Sequence, residues 1–192
     1  MEHHGENPQN KAIAIIPARY SSTRLPGKML LPIGAKPLIL HTVDAAKAAR
    51  TVGRVIVATD DERILVAVRD SGNEAVMTRP DHASGSDRIA EVAQTLAPGT
   101  IIINVQGDEP LISPSTIDAA VEEMMKGDAD IVTVCEPLTS LYGELLNFNV
   151  VKVVIGEDGR ALYFSRSPIP FPREASLRHA GRRCGRQCFS DR

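Results

Sequence analysis

Neither sign of charge dominates this sequence: 22 Lys and Arg stand against 24 Asp and Glu, for a formal net charge of −2. So weak a balance excludes a strongly basic face for nucleic acid, and any anionic ligand must be gripped by locally clustered Arg and Lys. No apolar run approaches the roughly 18 residues that a membrane span requires, so no membrane insertion is expected. Met1 to Asn10 is polar, carries His3 and His4, and lacks the apolar stretch of a signal peptide. Cysteine occurs three times, at Cys135, Cys184 and Cys188, an odd number at irregular spacing that makes poor material for a disulfide framework. Tryptophan is absent, while 43% of the residues are hydrophobic and 24% charged, the make-up of an ordinary globular protein. The 192 residues suffice for one substantial domain with a proper core. A cytoplasmic protein is expected, with residues 1–10 as a disordered tail.

Strand-like apolar runs alternate with helix-length segments over most of the chain. Ala12 to Ile16, Val55 to Ala58, Glu74 to Thr78, Ile101 to Val105 and Asp130 to Val134 read as five strands. Between them, Pro37 to Arg50, Asp61 to Ser71, Ser86 to Leu96 and Pro114 to Lys126 read as helices, the second capped by Asp60 or Asp61 and stopped by Gly72. Ser113 and Pro114 form the start signal of the last helix. This rhythm predicts an α/β fold with a mainly parallel central sheet and helices on both faces. Ligands on such sheets bind outside the carboxyl ends of the strands, where the loops starting at Pro17, Thr59, Thr78 and Gln106 all fall. Val150 to Ile155 and Ala161 to Ser165 flank Gly-Glu-Asp-Gly and predict a β-hairpin. Ser167 to Arg173, with three prolines, predicts an extended loop.

Three loops carry candidate chemistry. The first is P-A-R-Y-S-S-T-R-L-P-G-K, Pro17 to Lys28, directly after the first strand. Arg19, Arg24 and Lys28 supply charge for a polyphosphate, Ser21, Ser22 and Thr23 supply hydroxyls, and Gly27 permits close backbone approach. The G-x-x-x-x-G-K-[ST] phosphate loop is absent. The second is V-Q-G-D-E-P, Val105 to Pro110, after the fourth strand. Asp108, with Glu109 as second choice, is a natural ligand for Mg²⁺, which takes one or two carboxylates with water and phosphate oxygens. Gln106 suits a sugar or base edge. The third is T-R-P-D-H-A-S-G-S-D-R, Thr78 to Arg88. There Ser84 and Gly85 can present backbone groups to a base and Arg79 offers charge or stacking, while Asp87 and Arg88 read as a helix-surface pair and His82 as structural.

These segments, with A-T-D-D, V-K-V-V and A-L-Y-F-S-R in order, resemble the CMP-Kdo synthetase (3-deoxy-manno-octulosonate cytidylyltransferase) family from about Lys11 to about His179. The sialic-acid cytidylyltransferases share the fold, but their first loop is richer in Gly and lacks the T-R-L-P-G-K ending. The resemblance implies a Rossmann-like nucleotidyltransferase fold that binds CTP and Mg²⁺ and joins CMP to the anomeric hydroxyl of Kdo, releasing pyrophosphate. It assigns Arg19, Arg24 and Lys28 to the triphosphate, Arg79, Ser84 and Gly85 to the cytidine, Gln106 to nucleotide or sugar, and Asp108 to the metal. Arg19, Lys28 and Asp108 are its catalytic candidates, and a homodimer is its expected assembly. Another sugar-acid nucleotidyltransferase and a non-catalytic nucleotide-binding remnant are the alternatives.

The resemblance places the nucleotidyltransferase domain at 11–173 and sets 174–192 apart as an atypical, poorly ordered tail. Family members run on past this length, and the further portion carries a second metal carboxylate, a sugar-contacting acidic helix and much of the dimer contact. Here Arg178 to Arg192 holds five arginines and two cysteines without helical or strand periodicity, as a shifted reading frame would produce. A zinc site from His179, Cys184 and Cys188 is the rival reading, short of a fourth ligand.

Overall fold

The computed structural model describes residues 12–21, 25–138, 143–169 and 184–187. The chain divides into two compact units, Met1–Asp130 and Ile131–Arg192.

In the first unit β1 (Ala12–Ala18) leads through a 3₁₀ turn and a small ribbon, β2 (Pro32–Ile33) and β3 (Lys36–Pro37), into α1 (Leu38–Lys47). Then follow β4 (Val52–Thr59), α2 (Glu62–Asp70), β5 (Glu74–Met77), α3 (Gly85–Ala93), β6 (Ile102–Asn104) and α4 (Pro114–Met124). Strands β5, β4, β1 and β6 lie in that order, all parallel, with Ile15 opposite both Ile56 and Asn104. Parallel neighbours need long crossovers, and the helices are those crossovers.

The period of two along each strand divides the core between two faces. Ala14, Ile16, Ala18, Val55 and Val57 pack with Ile39 and Val43 of α1, Ile64 and Val68 of α2 and Ile117 of α4. Ile15, Ile56 and Ala58 pack on the other face with Ile89 and Val92 of α3. Helices therefore cover both faces, as the alternating pattern predicts. Each fully buried Ile or Val contributes roughly 1.5–3 kcal/mol relative to exposure. Asp61 caps α2 by accepting from the Arg63 amide. Ser113 is the N-cap residue of α4 with Pro114 behind it, although its hydroxyl meets Ser115 and not a helix amide.

Strand order fixes where a ligand can enter. From β1 the chain steps outward through β4 to β5, then crosses back to place β6 on the opposite side of β1. The splayed loops at that reversal, between the carboxyl ends of β1 and β6, form the binding crevice of such sheets.

The second unit is an antiparallel sheet, β7 (Cys135–Pro137), β8 (Val151–Ile155), β9 (Ala161–Ser165) and β10 (Cys184–Gln187), in the order β7-β10-β8-β9. The expected hairpin is β8 and β9, closed by the Gly156 amide on the Arg160 carbonyl at 2.8 Å with Gly159 at φ 81°. Lys152 in β8 is fully buried, and its ammonium donates to the carbonyls of Asn147, Val150 and Arg166 at 2.9, 2.8 and 2.5 Å. A buried cation needs such partners to offset its lost hydration.

Two expectations change here. Asp130 to Val134 forms no strand: Ile131 is 86% exposed, so the apolar run has no core to line. Cys184–Gln187, inside the segment without periodicity, forms the strand between β7 and β8. Ladder hydrogen bonds use backbone groups, so a strand paired on both sides can form without an apolar signature. Residues 170–173 of the expected proline loop, and His179 and Cys188 of the rival zinc reading, lie outside the described residues.

Candidate functional site

β1 ends by passing from buried Ala18 to exposed Arg19, and the chain then curls back on itself. The Gly27 amide donates to the Tyr20 carbonyl at 2.9 Å, and Gly27 itself sits at φ 71° to open the 3₁₀ turn Lys28–Leu30. A Cβ on Gly27 would lie 3.0 Å from the Tyr20 ring. That ring also carries the Arg63 guanidinium, 3.3 Å from its centroid. Arg63 forks onto Asp61 with bonds of 2.9 and 2.7 Å. These hydrogen bonds hold the Asp61 carboxyl below the usual range despite its partial burial. The loops after β1 and β4 are thus tied together by a stacked cation.

On the other side of β1, Gly107 is closely packed. A Cβ there would meet Met29 Sδ and the Pro17 carbonyl oxygen, each at 3.1 Å. The buried Thr42 hydroxyl of α1 donates to the Gly107 carbonyl at 3.0 Å. Gly85, first residue of α3, has little more room, since a Cβ on it would stand 3.3 Å from Pro17 Cγ. The result is that Lys28 Nζ reaches Asp108 Oδ2 at 2.6 Å, both side chains about one-third exposed at 35% and 30%.

Glu109 is half-buried, and burial pushes its carboxyl up, with the neighbouring Asp108 charge adding to the rise. Gln106 donates to Asn104 Oδ1 at 3.1 Å. No group of three or more His, Cys, Asp or Glu able to hold a metal occurs among the described residues. One accessible carboxylate with a second beside it is no protein cage. It does fit Mg²⁺, which completes its shell with water and phosphate oxygens.

The other candidates fall as follows. Arg19 is exposed and forms no hydrogen bond or ion pair with the described residues, while Arg24 lies outside them. Arg79 leaves β5, two strands from β1 and so about 10 Å across the sheet. Its amide donates to Glu91 Oε2 at 3.1 Å, and its Nε lies 3.5 Å from Asp81. Glu91 is also met by His82 Nε2, and that hydrogen bond leads the lowering of its pKa. The His82 side chain itself is buried.

Ser84 and Asp87 form a reciprocal capping box, so the Ser84 hydroxyl is committed to its own helix. What this segment offers a ligand is the free amide end of α3. The expected Asp87–Arg88 surface pair does not exist. Arg88 is 3% exposed and pairs with Asp60 at 2.7 Å. Adjacent helical residues do not face each other, which is why the pairing fails. Thr42 and Arg63 join the site through the structure alone, while Tyr20, Asp60, Thr78 and Arg88 lie in segments the sequence marks without showing their contacts.

Residues 13–189 match the family described as Cytidylyltransferase. Among curated relatives, a 3-deoxy-manno-octulosonate cytidylyltransferase of Anaeromyxobacter sp. (strain K) is 53% identical over 160 residues, covering 83% of this chain and 64% of that protein. The one of Geobacter sulfurreducens is 48% identical over 161 residues, covering 84% and 64%. The solved structure of a CMP:2-keto-3-deoxy-manno-octonic acid synthetase complexed with CTP superposes with a TM-score of 0.81 at 42% identity, covering 92% of this chain and 71% of that one. The chain thus spans about 64% of the length of these curated relatives.

Proposed function

This chain belongs to the cytidylyltransferase family, and on that premise we propose that it transfers CMP from CTP to the anomeric hydroxyl of Kdo, giving CMP-Kdo and pyrophosphate. The observation that carries the proposal is the meeting of Lys28 and Asp108 at the strand-order reversal, in a chain about half identical to enzymes named for that acceptor.

In this reaction the anomeric oxygen forms a bond to the α-phosphorus of CTP and the bond to the bridging oxygen of the β-phosphate breaks. The hydroxyl proton is lost and pyrophosphate leaves. Such transfers need alignment and charge neutralisation more than covalent help from the protein. Lys28, freed from Asp108 by an incoming triphosphate, places one positive charge on the phosphates. Arg19, exposed at the end of β1, and Arg24 add theirs. The capped end of α3 at Ser84 and Gly85, with Arg79, forms the cytidine side, and Gln106 faces nucleotide or sugar. Asp108 is the residue that would hold Mg²⁺, which supplies charge neutralisation of the polyphosphate when bound.

The proposal extends to a cytoplasmic enzyme, since CTP and the sugar acid are soluble substrates. Among the described residues no helix is long and apolar enough to cross a membrane. It also extends to a homodimer, in keeping with the exposed run Leu162, Tyr163 and Phe164 on β9 at the sheet edge. Pyrophosphate release from CTP and Mg²⁺, with and without Kdo, is the direct test. Release that requires Kdo supports the proposal; CTP binding with no Kdo-dependent release would reduce this chain to a nucleotide-binding protein.

A further inference from the structure

Arg88 is the one strongly buried guanidinium among the described residues, and nothing in the reaction above uses it. Its Nη2 donates to Asp60 Oδ2 at 2.7 Å, where the Asp60 side chain is itself only 12% exposed. Its Nη1 donates to the Thr78 hydroxyl and, at 3.4 Å, to the Arg79 carbonyl. Thr78 in turn donates to the Thr59 carbonyl from both its amide and its hydroxyl, at 2.8 and 3.0 Å. One planar fork therefore joins the ends of β4 and β5 to the first turns of α3.

Stability alone is a weak reason to bury such a pair, because well-packed apolar residues of similar volume often serve as well or better. What the fork adds is fixed geometry, since five donors in one plane hold several acceptors at set angles. The segments it fixes are those that carry Arg79, Ser84 and Gly85. The phosphate side is held by other contacts: Thr42 to Gly107, Gly27 to Tyr20, and Lys28 to Asp108. The Arg88 network reaches that set less directly, through the Asp61 amide on the Thr59 hydroxyl and the stacking of Arg63, forked onto Asp61, on the Tyr20 ring.

We propose that Arg88, acting through Asp60 and Thr78, is a positioning residue that sets the cytidine side of the nucleotide site more strongly than the triphosphate side; this rests on the cytidylyltransferase reading above. The test separates the two halves with two probes, CTP and inorganic tripolyphosphate, each with Mg²⁺ and each titrated by calorimetry. In Arg88→Met, CTP affinity is expected to fall by about tenfold or more, the loss that one or two charge-assisted hydrogen bonds represent. Tripolyphosphate affinity should stay within about twofold of the parent, a change of under 1 kcal/mol.

Asp60→Asn should shift the two probes in the same unequal way, and Arg88→Lys should recover part of the CTP loss but not all. These two milder variants carry the same comparison if Arg88→Met does not fold. Equal loss of both ligands, or unchanged CTP affinity in a folded variant, would overturn the positioning role. A parent protein that binds tripolyphosphate as tightly as CTP would instead remove the cytidine site itself, and the role of Arg88 with it.

Discussion

Lys28 Nζ lies 2.6 Å from Asp108 Oδ2, although 80 positions separate them in the chain. The pair joins the loop after β1 to the turn after β6, across the reversal in strand order. On the proposed function, a triphosphate entering there would exchange Asp108 for phosphate oxygens at Lys28, while Asp108 would gain a cation. Lys28→Ala should therefore weaken Mg·CTP binding by about 1.5–3 kcal/mol, the scale of a charge-assisted hydrogen bond. Asp108→Asn should behave differently. With a chelator present it should bind CTP no more weakly than the parent, because a like charge beside the anion has gone. With Mg²⁺ added, the parent should tighten and the variant should not. Calorimetry at matched ionic strength reads both effects, and a variant that still responds fully to Mg²⁺ would move the metal elsewhere.

Base choice is a separate matter from phosphate grip. Cytosine differs from uracil by an exocyclic amino donor where uracil has an acceptor, so a pocket matched to one leaves polar groups unpaired with the other. CTP should bind at least about tenfold more tightly than UTP, ATP or GTP. Four parallel titrations with Mg²⁺ decide it, and equal affinities would leave the fold intact but remove the nucleotide preference.

Much of this arrangement is legible in the chain. Unbroken apolar runs mark β1 and β4 because a strand covered on both faces needs them. Lys28 and Asp108 stand out because each follows such a strand in a loop rich in chemistry. Their contact with each other is not legible, since no local pattern encodes an 80-residue separation. Arg88 misleads because a charged residue beside a charged residue looks like a surface pair until the helix phase is known. Cys184–Gln187 hides for the opposite reason: its pairing with β7 and β8 is made by backbone groups that every sequence possesses.

Gly27 should not tolerate a side chain. Its φ of 71° costs an L-residue roughly 1–2 kcal/mol, and a Cβ there would press on the Tyr20 ring 3.0 Å away. Displacing that ring also disturbs the Arg63 stack. Gly27→Ala should lower the urea midpoint and weaken Mg·CTP binding together. Tyr20→Leu in the Gly27→Ala background should recover part of the CTP affinity if the ring contact is the cause, and none if backbone strain alone is responsible.

Thr42 makes a similar point from beneath the site. Its hydroxyl is buried and serves the Gly107 carbonyl, one residue before Asp108. Thr42→Val keeps the shape and leaves that carbonyl unpaired, a loss of about 1–3 kcal/mol in stability. Thr42→Ser keeps the bond and loses only a methyl group. Mg·CTP affinity should follow the hydroxyl, falling in the Val variant and holding in the Ser variant. The reverse order would mean that packing, not the hydrogen bond, sets the Asp108 turn.

Asp118 provides the acid-sensitive joint of the first unit. Buried on α4, it accepts from the Thr51 amide at 2.9 Å and the Thr51 hydroxyl at 2.7 Å, with Arg50 Nε 3.4 Å from its other oxygen. Burial is the largest single influence and pushes the carboxyl up. The bonds from Thr51, with the Arg50 amide and charge, together outweigh it and leave the pKa below the ordinary value. A carboxyl depressed in the folded state is ionised there while the unfolded chain already takes up the proton. Its contribution is therefore present above the unfolded pKa, about 3.9, and is lost as pH falls through the lower folded value. Asp118→Asn, which keeps the shape but not the charge, should destabilise the protein by about 1 kcal/mol near neutrality. The gap between variant and parent urea midpoints should hold down to about pH 5 and close below about pH 4. A gap that stays constant into strong acid would mean that the Asp118 charge contributes nothing and that its shape alone holds α4 to the start of β4.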